Sequence, residues 1–123
     1  MSPAHRRPAS GRVRVGVLGA GAWAEFAHIP GYKRDPRCEL VAIADPIVER
    51  AKAFAEKFGI PDVYDSHAAL IARDDIDLVD VCTPSTTHFE LSWGALEAGK
   101  HVLCEKPVAY DYRDSLRASA LAK

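Results

Sequence analysis

Gly19, Gly21 and Ala24 stand at the spacing of a turn that holds a pyrophosphate against the backbone. In the pattern G-x-G-x-x-(G/A) the first glycine permits a tight turn, and the second lets backbone approach the phosphates. The third small residue keeps the following helix close to the strand before it. That helix opens at Ala22 and Trp23, so its unpaired N–H groups and positive dipole end face the same ligand. Asp45 follows 26 positions after Gly19, where an acidic residue accepts from the ribose hydroxyls of adenosine. A carboxylate there repels a 2′-phosphate, so the residues predict NAD, with NADP disfavoured. Pro46 comes next rather than an arginine, although Arg50 lies one turn on. Asp45 also reads as a helix-capping aspartate, and the two roles are compatible. Two further polar clusters are Cys82-Thr83-Pro84-Ser85-Thr86-Thr87-His88 and Cys104-Glu105-Lys106-Pro107.

The elements that must position these residues alternate along the chain. Val13 to Leu18 is an apolar strand, followed by a helix from Ala22 to about Lys33, broken near Pro30-Gly31. Glu39 to Ala44 is a second strand ending at Asp45. Pro46 to Phe58 reads as a helix with proline in its first turn, an apolar face of Ile47, Ala51, Phe54, Ala55 and Phe58, and Gly59 as its stop. A short third strand at Val63-Tyr64 leads to Ser66, a plausible N-cap, and a brief helix through Leu70-Ile71. Ile76 to Cys82 is a fourth strand, in which Asp77 and Asp80 are the awkward members. Ser85 or Thr86 caps a helix that runs to Ala98 and stops at Gly99. His101 to Cys104 is a fifth strand, and Tyr112 to Ala122 is helical. Apolar strands joined by helices predict a parallel sheet covered on both faces. With right-handed crossovers this is an α/β doubly wound Rossmann sheet of order 3-2-1-4-5. The polar clusters then lie beyond the carboxyl ends of the fourth and fifth strands.

The 123 residues carry a net charge of −1 and are 48% hydrophobic. A chain of this length buries about two-thirds of its unfolded surface, enough for one core. A near-neutral balance argues against nucleic acid as the main partner, and no apolar run approaches the ~20 residues of a membrane span. Residues 1–12 are small, polar and basic, and read as a disordered tail ahead of a single domain over 13–123. Arg6-Arg7 is followed by no apolar signal segment, so the chain is placed in the cytoplasm. Cys38, Cys82 and Cys104 show no metal-ligand or disulfide spacing. A zinc site joining Cys82 and Cys104 to His88 or His101 is the sharper reading. Two small buried thiols at neighbouring strand ends is the preferred one, and no metal is assigned.

Gly19-Ala20-Gly21, Asp45, Thr83-Pro84 with His88, and the run Ala98 to Pro107 together resemble the N-terminal half of the Gfo/Idh/MocA family. These are NAD(P)-dependent oxidoreductases of sugars, inositols and related polyols. The resemblance implies that Lys106 is the active-site lysine, which bonds the reacting oxygen and assists proton transfer. It implies that Glu105 lies near the nicotinamide ribose and helps to hold Lys106. It also implies a cis bond before Pro107, and places Thr83, Pro84 and His88 along the nicotinamide side of the pocket. The plainer readings are a solvated Lys106 and a His88 in a helix first turn. Trp23 is expected to lie against the cofactor or, preferably, to pack on the sheet. His28 and Pro30 are expected to shape a kink. Family members continue into a substrate-binding α/β domain that often makes a homo-oligomer interface, so the resemblance implies that this chain is incomplete at its C-terminus. The alternatives are a stand-alone nucleotide-binding module without activity and, less well supported, an S-adenosylmethionine-dependent methyltransferase.

Overall fold

The computed structural model describes residues 11–123, so all but the last two residues of the expected N-terminal tail lie outside the described residues. Strand β1 (Val13–Leu18) is the centre of a five-stranded parallel sheet, with strand β2 (Cys38–Ala44) beside it. Strands β3 (Asp62–Tyr64), β4 (Leu78–Val81) and β5 (His101–Cys104) complete it in the order β3-β2-β1-β4-β5. This is the predicted doubly wound order.

Strand alternation, broken in β2 at Val41, which the pairing of Val15 with Leu40 and Gly16 with Ala42 skips, divides the core in two. Val15, Val17, Leu40 and Ile43 point to one face, where they meet Ala24, Ile29, Ala51 and Ile60. Leu18, Val41, Ala42 and Ala44 point to the other, against Leu70, Ile76 and Ala95. A register irregularity between Val15 and Gly16 shifts the pairing with β2 by one residue. Each fully buried side chain such as Ile29 or Leu70 contributes roughly 1.5–3 kcal/mol of transfer free energy.

Four boundaries differ from the expectation, each for a local reason. The first helix is not broken at Pro30-Gly31. Ala22 and Trp23 lead into a π-helical segment, Ala24–His28, which passes into α1 (Ile29–Arg34) with Pro30 in its first turn. The Ile29 N–H bonds back to the Ala24 carbonyl, five residues away. Widening the turn ahead of a proline removes the clash its ring would otherwise make. Helix α2 (Val48–Phe58) begins two residues later than Pro46, because the Asp45 carboxylate takes the Ile47 N–H and holds 46–47 outside the helix. Ile47 is therefore half exposed rather than on the buried face. Gly59 stops α2 at φ 69°, as expected.

Ser66 does cap α3 (His67–Ile71), its hydroxyl accepting from Ala69. Neither Ser85 nor Thr86 caps α4 (His88–Glu97). Ser85–Thr87 form a 3-10 turn, and Thr87 spends its hydroxyl on Pro84 O and Thr83 Oγ1. β4 is shorter than Ile76–Cys82, since Asp77 turns its carboxylate onto the Arg14 N–H at the sheet's lower end. Helix α5 (Tyr112–Ala122) is capped by Asp111, which accepts from the Arg113 N–H.

Candidate dinucleotide cleft and lysine loop

At the carboxyl end of β1 the chain turns at Gly19, with φ 99°. A Cβ there would stand 2.7 Å from the Cys82 carbonyl oxygen, so the turn lies directly against the end of β4. Gly21 is different: a Cβ there meets nothing within 4 Å. The backbone at Gly21 is thus bare toward open space, as close approach of a phosphate requires. Asp45 ties these pieces together. One carboxylate oxygen accepts from the Ala20 N–H and the other from the Ile47 N–H, both at 2.8 Å. The aspartate therefore braces the glycine turn and also ends the loop before α2.

Gly19, Gly21, Ala22, Trp23, Asp45, Thr83 and Pro84 line one cleft of about 540 Å³, within the size range of cofactor sites. Thr87, from the polar cluster after β4, also lines it, as do Pro46 and Arg50 beside Asp45; Ile47 and His67 line it without any signal in the motifs. His67 was detectable in principle, because it starts the helix just beyond β3. Its Nδ1 is buried with no hydrogen-bond partner among the described residues. Burial lowers the His67 pKa, opposed by the charge of Asp45. A glycine turn bare of side chains, a helix start and an acidic β2 terminus around one cleft fit a dinucleotide.

Lys106 and Glu105 stand beyond β5 on the neighbouring loop, Lys106 exposed and the Lys106–Pro107 bond cis. Trp23 connects this loop to the cleft, its indole N–H donating to Glu105 Oε1 at 2.8 Å. The indole is 54% exposed and lies against Phe26 rather than packing on the sheet; this hydrogen bond draws it outward. His88 does not line the cleft. It is 2% exposed, with Nε2 2.8 Å from Thr83 O and Nδ1 2.7 Å from Pro107 O. The imidazole therefore staples the loop after β4 to the loop after β5 from beneath.

A second buried cluster escaped sequence reasoning. Asp80, fully buried in β4, accepts from Tyr32 Oη and from His28 Nδ1, both at 2.6 Å, and from the Cys82 thiol at 3.2 Å. The other ring nitrogen of His28 lies 2.5 Å from Glu105 Oε1. His28 and Tyr32, one helical turn apart on the stretch over Asp80, were the available signal. Burial and the Asp80 charge push both the Tyr32 hydroxyl and the Cys82 thiol well above their usual ranges. Cys82 and Cys104 are half-buried free thiols. Ligand-type atoms of His28, Asp80 and Cys82 lie within 4.8 Å of one another. The 2.6 Å contact between His28 and Asp80 is nonetheless a direct hydrogen bond, whereas ligands of one tetrahedral zinc sit about 3.3 Å apart.

Fold and cleft together define an NAD(P)-binding Rossmann domain. Residues 13–123 match the oxidoreductase family with an NAD-binding Rossmann fold, and the chain belongs to that family, Gfo/Idh/MocA. It is 42% identical over 100 residues to the D-glucoside 3-dehydrogenase of Escherichia coli K12, covering 81% of this chain and 28% of that protein. It is 40% identical over 122 residues to the dTDP-3,4-didehydro-2,6-dideoxy-alpha-D-glucose 3-reductase of Actinomadura kijaniata, covering 99% of this chain and 35% of that protein. The crystal structure of KijD10, a 3-ketoreductase from Actinomadura kijaniata in complex with NADP and TDP-benzene, superposes with a TM-score of 0.85. That match is 41% identical and covers 90% of this chain and 34% of KijD10. The chain thus spans about a third of the length of these relatives. Among the described residues no helix is long and apolar enough to cross a membrane.

Proposed function

We propose that the chain binds NAD in preference to NADP in this cleft, as the cofactor-binding part of an oxidoreductase acting on a sugar, inositol or similar polyol. The observation that carries the reading is the convergence of Gly19, Gly21, Ala22, Trp23, Asp45, Thr83 and Pro84 on one cleft. Asp45 sits at the β2 terminus, where its charge favours ribose hydroxyls over a 2′-phosphate. A bound nicotinamide supplies or takes the hydride. The chain's own contribution is acid–base and positional. Lys106 offers an ammonium that donates to the reacting oxygen and exchanges a proton with it as charge develops there. Glu105 neighbours that ammonium along the chain and accepts from Trp23 at the cleft. His88 holds the two loops in register and is a positioning residue. Substrate selection belongs to a second domain of a longer protein, assembled as a homo-oligomer in the cytoplasm, where Cys38, Cys82 and Cys104 stay reduced. Neither nucleic acid nor a membrane surface is a partner in this reading, consistent with the net charge of −1.

The test is a fluorescence titration of the purified chain with NADH and, separately, NADPH, repeated for Asp45→Ala. Saturable binding that favours NADH, with the preference lost in the variant, is the expected result. Equal or tighter NADPH binding by the unaltered chain overturns the preference. No binding of either by a folded chain overturns the cofactor reading of these residues.

A further inference from the structure

His28 lies in the π-helical turn with one ring nitrogen on each of two carboxylates. Nδ1 is 2.6 Å from Asp80 Oδ2 and Nε2 is 2.5 Å from Glu105 Oε1. Carboxylate oxygens only accept, so the ring satisfies both partners only by donating from both nitrogens, which is the imidazolium form. Its side chain is 12% exposed, that of Asp80 is fully buried and that of Glu105 is 31% exposed. The cation is therefore clamped between a fixed buried anion and one at the surface. We propose that His28 is a positioning residue, held as an imidazolium by Asp80, that fixes the Glu105 carboxylate beside Trp23 and thereby the lysine loop beside the cleft.

Every group around the ring fits that assignment. From β4, Asp80 faces Nδ1, with its remaining donors supplied by Tyr32 on the ring's own helix and by the Cys82 thiol. Cys82 also approaches Nδ1, at 3.3 Å, and stays a neutral thiol because burial and Asp80 raise its pKa. From the loop beyond β5, Glu105 faces Nε2 and takes the Trp23 N–H on the same oxygen. Burial by itself lowers the His28 pKa, but the hydrogen bonds and charges of Asp80 and then Glu105 outweigh it and raise it above its ordinary value. The same contact lowers the pKa of Glu105. Between those two limits the imidazolium and the Glu105 carboxylate coexist. Above the upper one, His28 loses the proton on one side and releases one carboxylate. Glu105 is the one released, since it is the partly solvated partner.

The role in cofactor affinity rests on the reading of Glu105 as a neighbour of the nicotinamide ribose; the state of the ring does not. Long-range ¹H–¹⁵N spectra of the full chain, from about pH 5 to about pH 9, read both nitrogens of His28 directly. The expected spectrum shows two protonated nitrogens at neutral pH and a midpoint above the ordinary histidine value. Asp80→Asn and Glu105→Gln each move that midpoint down. A singly protonated ring at neutral pH overturns the proposal, as does a midpoint that neither substitution moves. Glu105 is at the surface, so Glu105→Gln keeps the test alive if Asp80→Asn does not fold. NADH affinity of the unaltered chain should weaken about tenfold as pH passes the midpoint. His28→Gln should show that loss at every pH, with the pH dependence gone, whereas a purely structural histidine leaves the pH profile in place. An affinity that does not change across the midpoint overturns the positioning role. If a folded chain binds no NADH while both nitrogens stay protonated, the clamp stands and the cofactor reading of Glu105 falls.

Discussion

Asp45 shows how one side chain serves two ends. Its carboxylate accepts the Ala20 N–H and the Ile47 N–H, so the group proposed to meet the ribose also holds up the glycine turn. Asp45→Ala strands two backbone donors, and the expected cost is about 1–3 kcal/mol of stability, read by thermal or urea unfolding. The accompanying loss of NADH affinity should be about tenfold or more, read by titration. Gly19→Ala is expected to be worse for folding. It forces a side chain to φ 99° and sets a Cβ 2.7 Å from Cys82 O, strain of about 2 kcal/mol or more. Gly19 and Asp45 were legible in the sequence because a turn and a strand terminus are local and their spacing is fixed by the fold. The partnership of His28 with Asp80 was not, because 52 positions separate them. A carboxylate in a buried strand announces that donors are needed but does not name them.

At the scale of elements, hydrophobic periodicity revealed the order of strands and helices, and capping chemistry revealed their ends wherever the cap was made by one residue. Ser66 and Gly59 are such caps. Ser66→Ala is expected to cost about 1 kcal/mol, and Gly59→Ala about 1–2 kcal/mol for placing alanine at φ 69°, both measurable as lowered urea midpoints. The misread boundaries are those where a side chain was engaged elsewhere. Asp45 delays α2, and Thr87 is occupied by Pro84 and Thr83 instead of capping α4. Asp77, engaged by the Arg14 N–H, shortens β4 in the same way, whereas the π-helical turn ahead of Pro30 is a backbone effect. Proline predicts a disturbance in a helix but not how neighbouring carbonyls absorb it. Here the wider turn lies in the same segment that carries His28 over the sheet.

For the molecule as a whole, stability should depend on pH through the pair at the end of β5. His28 has a raised pKa, so its contribution is complete below the ordinary histidine value and is lost as pH rises through the raised one. Glu105 has a lowered pKa, so its contribution is present above the ordinary glutamate value and is lost as pH falls through the lowered one. The unfolding midpoint should therefore be highest on the mildly acidic plateau between the ordinary glutamate and histidine values, and His28→Gln should flatten the decline above it. Strand β5 is a sheet edge among the described residues, with Leu103 46% exposed. Such an edge pairs readily with other chains. Sedimentation of the isolated chain should show concentration-dependent association, reduced by Leu103→Lys. The sheet order was readable from sequence, whereas the coupling between its loops was not, since His88 reads locally as a residue in the first turn of a helix. That histidine gives the loops beyond β4 and β5 a common anchor. Anyone transplanting the lysine loop into a related scaffold would have to move Thr83, His88 and Pro107 as one cassette, because a graft carrying either loop alone arrives with its anchor left behind.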